Sequence, residues 1–175
     1  PVEMMYRDNR LNPIHEGTTG IQSLDLLARK VPQNNLAGYQ ACLSAMGETI
    51  TEARELEATA ASANELAMAV ETLKQVTDFM LGAMLEKDID LALANSVKYL
   101  DLFGNVVIAW IWLQQGVVAA RALQGELHES ESNFYRGKLQ AMQYFFRYDL
   151  SEIDGWARLL MQLDDTCVAM ENDWF

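Results

Sequence analysis

Apolar residues step through this chain by threes and fours, and no segment alternates with period two. Leu36, Tyr39, Leu43, Met46, Ile50 and Ala53 make one such seam, and Leu66, Val70, Leu73, Met80 and Met84 make another. A stripe at helical spacing, with no sheet to receive it, is buried only against other helices. The expected fold class is therefore all-α: an antiparallel bundle of about four long helices, preceded by a short arm and helix. The first seam should end near Ala60 to Ser62 and the second by Glu86 to Asp88. A third segment carries Ile89, Leu93, Val97, Leu100, Phe103, Val107, Ile111 and Val118, a broader apolar face expected at the centre. Gly104 and Gly116 within it mark either close packing or a break. After the polar run 126–133, Tyr135, Leu139, Met142 and Phe146 open another helix. Ser151 with Asp154 resembles an N-terminal cap, and Ile153, Trp156, Leu160, Leu163, Cys167 and Met170 complete the last one. Trp110, Trp112 and Trp156 read as core residues.

Ahead of the bundle, Tyr6, Arg7, Asp8 and Arg10 suit a short helix that Pro13 interrupts. Arg7 and Arg10 share a face, where pairing with Asp8 or Glu3 competes with a phosphate clamp. A second helix is expected from Gly20 to Lys30 on the stripe Ile21, Leu24 and Leu27, widened by Leu26. The polar, proline-containing stretch 32–35 then divides the chain into 1–31 and 32–175.

With 13 basic and 25 acidic residues the net charge is −12, which opposes a nucleic-acid or anionic-membrane surface. Cys42 and Cys167 lack C-x-x-C spacing and read as reduced core thiols. No secretory pattern opens the chain, and the apolar run 106–113 is bounded by Asn105, Gln114 and Gln115, too short to span a bilayer. A cytoplasmic protein without a membrane span is expected. It begins at Pro1, in what reads as the middle of a segment, so a piece of a longer polypeptide is expected too. Neither His15 nor His128 has a glutamate three residues before it, and Glu126, His128, Glu129 and Glu131 read as a solvated run, so no metal site is expected.

One stretch carries chemistry: residues 12–22, NPIHEGTTGIQ. Pro13 biases Asn12 away from helix, Gly17 and Gly20 permit tight backbone geometry, and Thr18 or Thr19 can cap the helix that follows. Glu16 thus stands beside a turn whose orphan N–H groups suit an anionic ligand group. On spacing alone, ordinary capping or surface chemistry is the commoner explanation of such a Glu16.

The longer string PVEMMYRDNRLNPIHEGTTGIQSLDLLARKV resembles the end of the catalytic region of the acyl-CoA dehydrogenase family, where an arginine-containing segment leads to an EGT-type motif and then I-Q. The helical remainder resembles the C-terminal extension of larger bacterial members, such as those of the 3-methylmercaptopropionyl-CoA dehydrogenase type. That resemblance implies an FAD enzyme acting on an acyl-CoA substrate, with an electron-transfer acceptor and a homo-oligomeric assembly. It implies that Glu16 is the base removing the substrate α-proton and that its backbone N–H helps hold the thioester carbonyl. It further implies that Gly17 lies against substrate and that Thr18, Thr19 and Gly20 contact FAD. His15 stands where many members have Tyr, and Gly20 where several have Gln. A fragment of this size holds one edge of such a site and should be inactive alone. The competing reading is a helical oligomerisation or interaction module in which Glu16 has no catalytic role.

Overall fold

The structure, a computed structural model, describes residues 2–10, 18–86 and 88–174. Eight α-helices occur among them and no strand: α1 (Val2–Asn9), α2 (Thr19–Asp25), α3 (Gln33–Arg54), α4 (Glu57–Glu86), α5 (Ile89–Leu93), α6 (Ser96–Ala122), α7 (Glu129–Tyr148) and α8 (Ile153–Met161). The four long ones, α3, α4, α6 and α7, form the expected bundle, and α8 closes one side against α4 and α6. The predicted seams of α3 and α4 are its walls: Tyr39, Met46, Ile50 and Ala53 from one, Leu66, Leu73 and Met80 from the other, all buried.

α6 is the axis, packed by α2, α3, α4, α7 and α8. By length and composition it could cross a membrane, but here it lines the centre of the bundle with Tyr99, Leu102, Val106, Ala109 and Leu113. Of the expected stripe, Leu93, Phe103 and Val107 pack against this core, whereas Ile89 on α5 and Val97, Ile111 and Val118 on α6 are exposed. A helix apolar on most of its circumference carries little phase information, so its buried side is chosen by its neighbours. Gly116 is a close-packing glycine, since a Cβ there would lie 2.4 Å from Met142 Sδ and 3.3 Å from Thr59 Cγ2. At Gly104 a Cβ would meet nothing within 4 Å, and the helix runs through it unbroken.

Several boundaries differ from expectation. α3 ends at Arg54 rather than near residue 60, in a turn at Glu55 and Leu56 that has neither Gly nor Pro. The buried Thr59 hydroxyl closes it by donating to the Ala53 carbonyl at 2.7 Å. Ser151 does not cap α8, because its hydroxyl donates backwards to the Arg147 carbonyl at 3.1 Å, finishing α7 instead. α8 stops at Met161, and Leu163 takes a left-handed φ of 50°. Asn95 Nδ2 then holds the Asp164 carbonyl at 2.8 Å, drawing the chain away from helix. Cys167 and Met170 consequently lie exposed in an irregular tail, so Cys167 is not a core thiol; Cys42 is half-buried.

The polar boundary at 32–35 is a backbone event: Asn34, Asn35 and Leu36 have φ of 51°, 54° and 66°. Asn tolerates this left-handed region better than most residues with a Cβ, whereas Leu36 is strained there. Both sides of the kink nevertheless share one core, with Leu27 and Val31 buried among the bundle residues.

Candidate active site

Glu16 and Gly17 lie outside the described residues. The described part of the motif begins at Thr18, which adopts φ 38°, ψ 72° and opens α2. Its carbonyl accepts from the Gln22 N–H at 3.1 Å, but its side chain makes no capping bond. The turn is thus closed by backbone, and the left-handed residue is Thr18 rather than Gly20.

The expected stripe of α2 is turned outward. Ile21 and Leu24 are exposed, while Ser23, Leu27 and Val31 are buried. From Leu26 to Lys30 the helix widens to a π-helix, closed by Val31 N–H to the Leu26 carbonyl at 2.9 Å. The extra residue per turn puts Leu27 and Val31, four apart, on the core side. Ser23 is the residue that sequence reasoning missed. Its hydroxyl donates to the Gly20 carbonyl at 2.8 Å and shares a 3.0 Å hydrogen bond with the buried Ser96 hydroxyl at the start of α6. This pair ties the Thr18–Gly20 turn to the central helix. The spacing 23, 27, 31 was the available signal, hidden because a serine does not score as apolar.

Thr18 and Gly20 are exposed and Thr19 is half-buried. A Cβ on Gly20 would meet no heavy atom within 4 Å. Among the described residues, nothing covers the outer side of Thr18 and Gly20. The arginines of the arm and of the π-helical stretch have local partners: Arg7 pairs with Glu3 at 2.6 Å, Arg10 lies 5.8 Å over the Tyr6 ring, and Arg29 pairs with Asp25. The Arg29 guanidinium holds the Asp25 carboxyl below its usual range. The pairing of Arg7 with Glu3 favours the surface reading over a phosphate clamp. In the 126–131 segment, the Glu131 carboxylate accepts from the His128 backbone N–H at 3.3 Å, at the start of α7. No group of three His, Cys, Asp or Glu side chains among the described residues is placed to hold a metal.

A family model described as acetyl-CoA dehydrogenase C-terminal like matches residues 30–171. Over its whole length the chain is similar to the broad-specificity linear acyl-CoA dehydrogenase FadE5 of Mycobacterium tuberculosis, at 22% identity and covering 30% of that protein. It is 35% identical to the 3-methylmercaptopropionyl-CoA dehydrogenase of Ruegeria pomeroyi over 86% of this chain and 25% of the relative. With the butyryl-CoA dehydrogenase of Syntrophomonas wolfei it shares 26% identity over 94% of the chain and 27% of the relative. The chain thus spans between 25% and 30% of the length of these relatives.

Proposed function

The chain belongs to the acetyl-CoA dehydrogenase C-terminal-like family, and from that membership we propose that it is the C-terminal part of an FAD-dependent acyl-CoA dehydrogenase, with Glu16 as catalytic base. The observation carrying this reading is the sequence EGTTG, whose described residues open a helix that a buried Ser23–Ser96 hydroxyl pair fastens to the bundle axis. Three relatives named as acyl-CoA dehydrogenases support it.

The chemistry asked of Glu16 is removal of a weakly acidic proton α to a thioester, for which a carboxylate serves best when burial lifts its pKa. FAD, when bound, supplies the acceptor for the β-hydride. Glu16 also offers its backbone N–H to the thioester carbonyl, where negative charge develops as the proton leaves. Gly17, without a side chain, lets the substrate lie close to the backbone. Thr18, Thr19 and Gly20 present the open side of the turn to the flavin, and Ser23 positions them. Residues 1–31 would complete the catalytic region and 32–175 would form the extension, while the acyl-CoA pocket would lie mostly in parts of the enzyme outside this chain.

The test is flavin reduction by acyl-CoA in the protein that carries this chain together with its flavin-binding body. Glu16→Gln should keep normal flavin content while stopped-flow reduction falls by more than the roughly 10²–10⁴ typical of an auxiliary acid or base, because proton abstraction is the reaction itself. Near-normal reduction with normal flavin content would remove Glu16 as the base.

A further inference from the structure

α6 and α7 are in closest contact where Gly116 meets Met142. Nearer the connection at 123–128 the two helices leave a cleft of about 320 Å³, walled by Val118, Ala119, Phe134 and Tyr135, with Gln115 and Lys138 as its polar part. Small-molecule sites run from roughly 300 Å³ upwards and are mostly apolar, with a few polar groups that fix orientation. Val118 and Phe134 are both more than half exposed, so apolar surface on either wall faces solvent.

Lys138 is a cation without a counter-ion. Its Nζ donates to Gln115 Oε1 at 3.3 Å and lies 5.6 Å over the rings of both Trp112 and Phe134. Ring faces and an amide oxygen hold an ammonium in place without neutralising its charge. From Ser132 to Tyr148, α7 carries Arg136, Lys138 and Arg147 and no acidic residue, in a chain of net charge −12. No carboxylate pairs with any of these three among the described residues, whereas Arg7, Arg29, Lys74, Lys98 and Arg121 each have one. Because Gln115 Oε1 accepts from Lys138, its amide nitrogen is the end that can still donate. The polar part of the cleft therefore offers donors and one positive charge.

We propose that this cleft binds a small organic monocarboxylate with an apolar body. The carboxylate accepts a charge-assisted hydrogen bond from Lys138 Nζ. The apolar body lies on Val118, Ala119 and the Phe134–Tyr135 pair, whose ring centroids are 5.4 Å apart and whose planes meet at 72°. A neutral apolar molecule would cover the ammonium without compensating its charge, and inorganic phosphate would give up its hydration to apolar walls for a single cation. Only an anion with an apolar body satisfies both parts of the cleft. The proposal is independent of any role for Glu16.

The test is titration of the isotope-labelled chain with benzoate and with hexanoate, followed by NMR amide shifts. At least one of the two acids should bind saturably, with a dissociation constant of about 1 mM or below and shifts centred on 115–119 and 134–138. Benzamide, of the same shape but neutral, should bind at least tenfold more weakly than benzoate, and inorganic phosphate should not displace either acid. Lys138→Met should weaken binding at least tenfold, Lys138→Arg should retain most of it, and Phe134→Ala should weaken it about threefold. Arg136→Gln removes the same charge from the same helix outside the cleft and should leave binding unchanged. Should Lys138→Met lose its helical circular dichroism, the comparison of benzoate with benzamide in the unaltered chain still decides. No saturable binding of either acid up to about 20 mM, equal affinity for benzamide, unaltered binding in a folded Lys138→Met variant, or an equal loss in Arg136→Gln would overturn the proposal.

Discussion

Glu16, Ser23 and Tyr99 show how unequal single residues are here. If Glu16 is the base, Glu16→Asp keeps a carboxylate but withdraws it by one methylene, so flavin reduction should fall less than in Glu16→Gln yet stay well below wild type, because near-attack distance is lost. A capping or surface glutamate would cost at most about 1–2 kcal/mol of stability and leave the rate intact. Ser23→Ala orphans the buried Ser96 hydroxyl and frees the Gly20 carbonyl, which should destabilise the fold by about 1–3 kcal/mol in urea titration. Tyr99 is buried against Thr77, its hydroxyl 2.8 Å from the threonine's, and burial pushes its pKa up. The folded pKa is above the unfolded value, near 10, so its contribution is fully present below about pH 10 and is lost as pH rises further, at up to about 1.4 kcal/mol per pH unit. The urea midpoint should therefore fall steeply between about pH 10 and 11, and Tyr99→Phe should flatten that slope. Tyr39 contrasts with it, since its buried hydroxyl lacks a hydrogen-bond partner among the described residues. Tyr39→Phe should consequently be neutral or slightly stabilising.

Between helices, two glycines of α6 separate propensity from packing. A Cβ on Gly116 would collide with Met142 of α7 and press on Thr59 at the start of α4. Gly116→Ala should therefore cost about 1–3 kcal/mol despite alanine's better helix propensity. Gly104→Ala meets open space and should gain up to about 1 kcal/mol in urea titration. The π-helical stretch Leu26–Lys30 works at the same scale. By adding a residue to the turn it brings Leu27 and Val31 into the core, while Ile21 and Leu24 face outward.

For the molecule as a whole, the bundle holds a continuous core from Leu27 through Leu160, so the chain alone should fold and give a predominantly helical circular dichroism spectrum. A strong strand signature would contradict the structure. Folding is not the same as function. The Thr18–Gly20 turn offers only a few of the contacts needed to offset the cost of immobilising a large dinucleotide. The isolated chain should therefore be purified colourless and should not oxidise acyl-CoA; yellow flavin surviving purification would overturn that expectation.

Helix, class and the existence of the seams followed from the sequence alone, because burying a stripe that repeats by three and four requires other helices, and α3 and α4 carry one clear stripe each. The EGTTG stretch stands out in the sequence as a chemical candidate, since its residue types and spacing are local, and its role rests on the proposed function. The buried side of α6 was not legible: a helix apolar on both sides has no phase of its own, and only α3, α4, α7 and α8 packing around it determined which side closed. The end of α3 was hidden for another reason, as the Thr59 hydroxyl, reaching back to the Ala53 carbonyl, replaced the usual glycine or proline. So too with Ser23, whose importance lies in a partner 73 residues away. Sequence determined which segments are helical; tertiary structure decided which face of each helix is inside, because burial belongs to the set of neighbours and not to any one segment.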